Sequence, residues 1–328
     1  MRPGIGAFVL CMFLVPPATV RAAGGELELA TWNLEWLIAP AAFRELKSSC
    51  APDGVAIRGA ERRLPCDIAH GKERSASDFA ALARYARELD ADVIALQEVD
   101  GADAARLVFP GHAFCFTGRR HVQNTGFAIR PGVRHRCGED LRSLALGDAL
   151  RRGAELVLFP GEEDELHLLS IHLKSGCARD PLGAAAGRAC ADLARQLIAL
   201  EAWIDAQASK GRSFAVLGDF NRDLLREARQ PAAAGGTFWG AIDDGDPAEA
   251  DLVNAADGQR FVNCAAGQPY RSYIDFVVLS RSLAAAVVPG SYQRVTYRPV
   301  DVARARLSDH CPVAIRVRFS GELSPPTR

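Results

Sequence analysis

Four carboxylates, two amides and two imidazoles stand in or just beyond apolar runs spread along this chain. They occur in TWNLEWL (Thr31–Leu37), LQEVD (Leu96–Asp100), IHLKSGC (Ile171–Cys177), GDFNRD (Gly218–Asp223), YIDFVVLS (Tyr273–Ser280) and LSDHCPV (Leu307–Val313). The residues are Asn33, Glu98, His172, Asp219, Asn221, Asp275, Asp309 and His310. Carboxylate oxygens suit a hard divalent cation, amides donate to oxyanions, and imidazoles move protons. A single one of these motifs would be read as a polar turn. All of them in this order point to one assembled site.

Each residue has its own logic. Glu98 follows the apolar run Val93–Leu96 with only Gln97 between, and Asp309 precedes the last apolar run. Two carboxylates from opposite ends of the chain, completed by water, are what Mg²⁺ usually takes from a protein, with Mn²⁺ or Ca²⁺ as alternatives. Asp219 and Asn221 are two apart, so an extended segment turns both to one side. Asp275 lies in an apolar strand, where an unpaired charge would cost several kcal/mol, so it needs a partner. His310, the one histidine after His172, is that partner. The pair would let His310 take a proton from water. His172 ends an apolar run two residues before Lys174, which suits phosphate binding or leaving-group protonation. His70, His112, His121, His135 and His167 lack such company and read as structural.

The elements that position these residues follow from periodicity. Leu27–Trp32 alternates as a strand and delivers Asn33; Asp92–Gln97 is a buried strand delivering Glu98. Ser75–Asp90 is helical, with Ser77 as its N-cap. Ala113–Thr117 and Gly126–Ile129 read as strands around the polar turn 118–125, where Arg119, Arg120, Gln123 and Asn124 fit phosphate contacts. Glu155–Phe159 and Leu166–His172 form a hairpin. Leu193, Leu197, Leu200 and Ile204 line a helix face, and Ser213–Leu217 is the strand before Asp219. Tyr273–Leu279 and Pro312–Phe319 are the last strands. Ala41–Gly71 reads as a long irregular loop pinned by Cys50 and Cys66.

The N-terminus reads differently. Arg2, an apolar stretch from Ile5 to Val15 and the small residues Ala22–Gly25 make a signal peptide over residues 1–23, too short to span a membrane. Residues 24–322 then form one domain, and 323–328 a frayed tail. Cleavage removes Cys11 and leaves eight cysteines, an even number that favours disulfides in a secreted or periplasmic chain. Neighbours in sequence should pair as Cys50–Cys66, Cys115–Cys137 and Cys177–Cys190, leaving Cys264–Cys311. Cleavage also takes the basic residues from 39 to 37 against 40 acidic ones, a net charge of −3 in place of −1. That balance excludes an avid, sequence-blind polyanion binder. No stable protein partner is implied.

This motif set resembles the endonuclease/exonuclease/phosphatase superfamily over nearly the whole mature chain, most specifically in GDFN and SDH. The resemblance implies a deoxyribonuclease-like α/β fold, a four-layer sandwich of two mixed β-sheets flanked by helices, with the site at one sheet edge. It implies that Glu98 and Asp309 hold the metal, that Asn33 orients Glu98 and touches phosphate, that Asp219 and Asn221 flank the phosphate, that His310 with Asp275 activates water, and that His172 assists the transition state. Lys174 joins the phosphate-binding set by its charge beside His172. The expected activity is an exported metal-dependent phosphodiesterase acting on nucleic acid. A phospholipid or sugar-phosphate esterase keeps the same chemistry, with Phe238–Trp239 the one candidate for a membrane-inserting loop. A non-catalytic binding module on the same fold is the third reading, and it is disfavoured because every site residue is present.

Overall fold

Along the central strands, every second residue is apolar on one face and every second residue is apolar on the other, so both faces must be covered. The computed structural model describes residues 25–51, 62–230 and 236–319. The expected signal peptide and frayed tail lie outside them.

The strands form two six-stranded sheets. They are β1 (Glu26–Leu37), β2 (Val93–Val99), β3 (Ala113–Phe116), β4 (Asn124–Ile129), β5 (His135–Cys137), β6 (Ala154–Leu158), β7 (Leu166–His172), β8 (Ser213–Asp219), β9 (Leu252–Asn254), β10 (Asp275–Ser280), β11 (Gln293–Arg294) and β12 (Val313–Arg318). The first sheet has the order β11-β12-β1-β2-β4-β3, the second β5-β6-β7-β8-β10-β9. Each is antiparallel except for one central parallel pair, β1–β2 in the first and β7–β8 in the second.

The parity of the side chains builds the layers. Leu27, Leu29, Val93, Ala95, Phe127, Ile315 and Val317 of the first sheet meet Leu166, Leu168, Ala215, Leu217, Val277 and Leu279 of the second in one buried core. The opposite faces carry the alternate residues. Ala30, Trp32, Ile94 and Ala128 pack under Phe79, Leu82 and Leu89 of the helix Ala76–Leu89. Leu169, Ile171, Phe214, Val216 and Phe276 pack under Leu193, Leu197, Leu200 and Ile204 of the helix Arg188–Ala208. Helix, sheet, sheet, helix is the four-layer sandwich expected from the sequence.

Four local readings are corrected. The segment 41–71 is not wholly irregular: Pro40–Lys47 and Cys66–Gly71 are helices. Pro40 sits in the first turn, where its missing N–H costs nothing, and Phe43 and Leu46 pack at helical spacing against Leu64 and Ala69. The long helix is capped by Ser75 rather than Ser77, because Asp78 completes a reciprocal capping box that only Ser75 can form. The tenth strand starts at Asp275 itself, so that acid stands at a strand end and not within the run. Of the pair Phe238–Trp239, Phe238 is fully buried against Phe220 and Trp239 packs half-buried against the same core, so the pair does not form an exposed aromatic loop.

All four expected cysteine pairs lie in disulfide geometry, with Cα–Cα separations of 4.9, 5.5, 5.1 and 5.3 Å in chain order. Among the described residues, no helix is long and apolar enough to cross a membrane.

Candidate active site at the polar end of the inter-sheet core

The inward-facing positions change character at one end of the sandwich. In β1 they run Leu27, Leu29, Thr31, Asn33; in β7, Leu166, Leu168, Ser170, His172; in β8, Ala215, Leu217, Asp219. β10 runs the other way, and its first residue, Asp275, faces Asp219 in register. His172 faces Asp219 from the other side. Thr31, Gln97 and Ser170 form the boundary layer. Thr31 Oγ1 donates to Gln97 Oε1 at 3.2 Å, and Gln97 Nε2 donates to Ser170 Oγ at 3.2 Å, so no buried polar group there is wasted.

Glu98 needs more than parity. Leu34, Glu35 and Trp36 of β1 oppose Glu98 alone, and Gln97 and Glu98 oppose Thr125 alone. Glu35, Trp36 and Glu98 all have positive φ, at 47°, 53° and 59°. This double bulge re-aims the Glu98 carboxylate toward the site, a conformation that costs about 1–3 kcal/mol per residue and persists only if its surroundings enforce it. Here Oε1 accepts from Asn33 Nδ2 at 3.3 Å, while Oε2 accepts from the Trp36 N–H at 3.2 Å and from Gln123 Nε2 at 2.6 Å. Buried Arg74 clamps the same bulge. It donates to the carbonyls of Glu35 at 2.6 Å and Leu307 at 3.0 Å, tying β1 to the segment before Asp309.

Asn33 is the hub, since its Nδ2 also donates to Asp219 Oδ2 at 3.1 Å. His172 Nε2 stands 3.4 Å from that oxygen and 3.8 Å from Glu98 Oε1. His310 Nδ1 is 2.9 Å from both oxygens of Asp275. Its Nε2 is 3.9 Å from Asp219 Oδ2 and 3.9 Å from Asp309 Oδ1. Asp309 accepts from the Tyr270 hydroxyl at 2.8 Å. Asn221, at φ 53°, gives its N–H to Asp219 Oδ1 at 2.8 Å and its amide to the Leu173 carbonyl at 3.1 Å. Lys174 lies close by, but its ammonium is turned to the Ser175 carbonyl at 2.7 Å. Thus the structure gathers all nine expected residues, with Lys174 and the Asn221 amide engaged by backbone oxygens.

Charge separates the two imidazoles. Burial, then Arg151, His310 and Lys174, holds His172 well below the usual histidine range, so it is neutral at pH 7. His310 is also buried, yet Asp275, then Asp219 and Asp309, raises it well above that range. Burial lifts Asp219 to about 7, even with His310 beside it. The site therefore holds one weakly basic and one strongly basic imidazole.

The donor set fits a hard divalent cation. Glu98 and Asp309 offer carboxylate oxygens of the kind such a cation takes, and His310 Nε2 stands 3.9 Å from Asp309 Oδ1. Asp219, Asp275 and His310 also bring ligand atoms within 4.8 Å of one another. Both Asp275 oxygens are already at hydrogen-bond distance from His310 Nδ1, however, so that trio reads better as a proton-sharing group.

Sequence reasoning missed Arg151, Gln123 as a Glu98 ligand, Tyr270 and the Arg74 clamp. Arg151 donates to the Leu173 carbonyl at 2.7 Å and adds positive charge near Glu98 and Asp219. It stands in an irregular stretch with no motif around it. Tyr270 could have been suspected from its place five residues before Asp275. In the 118–125 turn only Gln123 reaches the site residues, while Arg119 donates to the Asp148 carbonyl at 3.2 Å, Asn124 bonds the His121 carbonyl and Arg120 is exposed.

The Endonuclease/Exonuclease/phosphatase family model matches residues 30–310. In fold the chain is similar to truncated Caenorhabditis elegans TDP2, at 12% identity, covering 90% of this chain and 98% of that one, TM-score 0.53. It is similar to the AP endonuclease LMAP from Leishmania major, at 17% identity over 90% and 88%, TM-score 0.54. An endonuclease/exonuclease/phosphatase family protein from Bacteroides thetaiotaomicron matches at 15% identity over 91% and 100%, TM-score 0.50. No curated protein sequence matches.

Proposed function

Because the chain belongs to the Endonuclease/Exonuclease/phosphatase family, we propose that it is an exported phosphodiesterase, dependent on a divalent cation, that cleaves nucleic acid. The observation that carries this reading is the His310–Asp275 pair, with Nδ1 2.9 Å from both carboxylate oxygens and Nε2 open toward Asp219. Asp275 holds the proton on Nδ1, so the acceptor is Nε2 in the singly protonated form of His310. His310 then takes a proton from a water lying between Nε2 and Asp219. Neutral His172 donates a hydrogen bond to a phosphoryl oxygen and strengthens it as charge develops. Asn33 aims Glu98 and Asp219, and Asn221 borders the phosphate from the β8 end. Glu98 and Asp309 would hold the cation, which supplies Lewis acidity at the phosphoryl oxygen.

Export is supported by the apolar N-terminal stretch and by four cysteine pairs in disulfide geometry. Nucleic acid is preferred over lipid because, of the membrane-inserting candidate Phe238–Trp239, Phe238 is buried and Trp239 packs half-buried against the same core. The fold neighbours support the scaffold alone at their identities. A panel with the mature protein tests the reading: supercoiled DNA, single strands, RNA, sphingomyelin and inositol phosphates, each with Mg²⁺, Mn²⁺, Ca²⁺ or chelator. Turnover of DNA or RNA that stops in chelator is expected. Hydrolysis confined to sphingomyelin or inositol phosphates would replace the substrate assignment.

A further inference from the structure

Among the described residues two arginines touch disulfide sulfurs, and they are not alike. Arg222 Nη1 stands 3.6 Å from Cys177 Sγ, but its charge is matched by Glu227, whose Oε1 accepts from Nε at 2.6 Å. Arg294 Nη2 donates to Cys264 Sγ at 3.0 Å and has no carboxylate partner among the described residues. Its Nε and Nη1 are shielded from solvent without an acceptor, and the guanidinium lies 4.6 Å from the Tyr273 ring centroid. A shielded cation without a counter-charge is costly, and the disulfide sulfur it faces carries no charge. Reduction of the bond would supply that charge, because a guanidinium beside a thiol favours the thiolate.

What the Cys264–Cys311 bond ties together matters as much. Cys264 lies in residues 255–274, which carry no helix or strand. From that segment the Tyr270 hydroxyl donates to Asp309 Oδ2 at 2.8 Å and Gln268 Nε2 to the Asp309 carbonyl at 3.0 Å. Tyr297 joins the same strut, its N–H donating to the Cys264 carbonyl at 2.8 Å and its hydroxyl to the His310 carbonyl. We propose that Cys264–Cys311 is the redox-responsive bond of the four, and that its reduction slackens the Asp309–His310 loop and lowers turnover. The reductant is a dithiol. Both sulfurs are buried, so attack follows a local opening of the irregular segment. One thiolate of the dithiol bonds to Cys311 Sγ, the bond to Cys264 breaks, and its electron pair leaves on Cys264 Sγ, held as a thiolate by Arg294. The second thiol, losing its proton to solvent, displaces Cys311, which takes up a proton. The protein disulfide has gained two electrons, and the dithiol has become a disulfide.

Chain entropy works against this. Closing 47 residues rather than 13 should make Cys264–Cys311 about sevenfold harder to reduce than Cys177–Cys190. A hydrogen bond to a charged sulfur outweighs that, at about tenfold or more. The mature protein should be equilibrated without denaturant in graded mixtures of reduced and oxidised dithiothreitol, quenched with acid and alkylated, and its free cysteines located by peptide mapping. Cys264 and Cys311 should open in a less reducing mixture than the other three pairs. Arg294→Met should make this pair about tenfold harder to reduce, a midpoint shift of about 30 mV, and leave the other three where they were. A merely structural loss has the opposite sign, since a loosened fold gives up the bond more easily. Hydrolysis of bis-p-nitrophenyl phosphate in Mg²⁺, followed in the same samples, should fall as the pair opens and return on reoxidation. In the Cys264→Ser, Cys311→Ser double variant it should not respond over that range. Opening of all four pairs together would overturn the proposal. So would an Arg294→Met midpoint that stays put or moves toward easier reduction, or turnover indifferent to the state of the pair. Only the turnover arm rests on the phosphodiesterase reading. An oxidised protein that leaves the ester intact counts against that reading, while the cysteine map still decides the bond.

Discussion

His310 Nδ1 lies 2.9 Å from both Asp275 oxygens, and the role proposed for the pair sets what their replacement should do. His310→Ala should lower turnover about 10²–10⁴-fold, the range for a positioned base. Asp275→Asn should lose much of the same factor, and the double variant little more than the worse single one, because the pair is one unit. Independent, multiplicative losses in steady-state kinetics would show that Asp275 does not serve His310. Glu98→Gln keeps the size and the Asn33 contact but removes the charge. It should abolish turnover, and circular dichroism should report an unchanged fold. Addition of chelator to the wild type should do the same, reversibly with Mg²⁺ or Mn²⁺; full activity in chelator would remove the cation from the scheme. The pairing of Asp275 with His310 was legible in the sequence because an acid joined to an apolar run demands a partner, and His310 was the natural one. The neutrality of His172 was not legible. It arises from burial next to Arg151, a residue with no local pattern to mark it.

At the scale of elements, period-two alternation made most strands readable and also predicted which ends turn polar. Glu98 escaped that logic because its bulge depends on what β1 and β4 oppose to it, which is a tertiary fact. The short strands β5, β9 and β11 were missed for a related reason: two or three residues carry no periodicity. One glycine joins element to site. Gly218 adopts φ 149° between Leu217 and Asp219, and a Cβ there would lie 2.0 Å from the Ile171 carbonyl oxygen. Gly218→Ala must therefore push β7 from β8 where His172 faces Asp219. We expect a loss of about 1–3 kcal/mol in denaturant melts together with a sharp fall in turnover. An alanine variant with wild-type stability and activity would mean that the β7–β8 approach is looser than it stands here. By contrast Ser75→Ala removes only the capping box of the helix Ala76–Leu89. It should cost about 0.5–2 kcal/mol while activity at saturating temperature-stable conditions changes little, because that helix covers the far face of the first sheet.

The whole molecule stores a pH dependence in histidines that face no substrate. His121 is buried beside Arg119 and Arg151, and its proton affinity falls to about 3 from an ordinary 6.5. His112 and His167 shift the same way, each mainly through burial. The sign follows from linkage. Below pH 6.5 the unfolded chain takes protons that the folded chain refuses, so stability is full above that pH and falls as pH drops toward 3. His121 alone should contribute a slope of about 1.4 kcal/mol per pH unit between roughly pH 6 and 4. His121→Gln keeps an acceptor for the Gln123 N–H and cannot titrate, so its stability should fall less steeply over the same range. Urea melts at pH 7.5, 6, 5 and 4.5 decide this; parallel slopes for variant and wild type would assign the acid sensitivity elsewhere. The four cysteine pairs act on the other side of the equilibrium, by restricting the unfolded chain. Cys264–Cys311 spans 47 residues, for which chain entropy gives about 4 kcal/mol. It also anchors Cys311, the residue after His310, whose carbonyl is gripped by Tyr297 and Trp32. Cys264→Ser with Cys311→Ser should therefore lower both the denaturation midpoint and turnover. Peptide mapping without reductant must first find all four pairs in the protein. Free thiols at Cys264 and Cys311 would detach His310 from this strut and leave its position to Asp275 and the Ser308 hydroxyl.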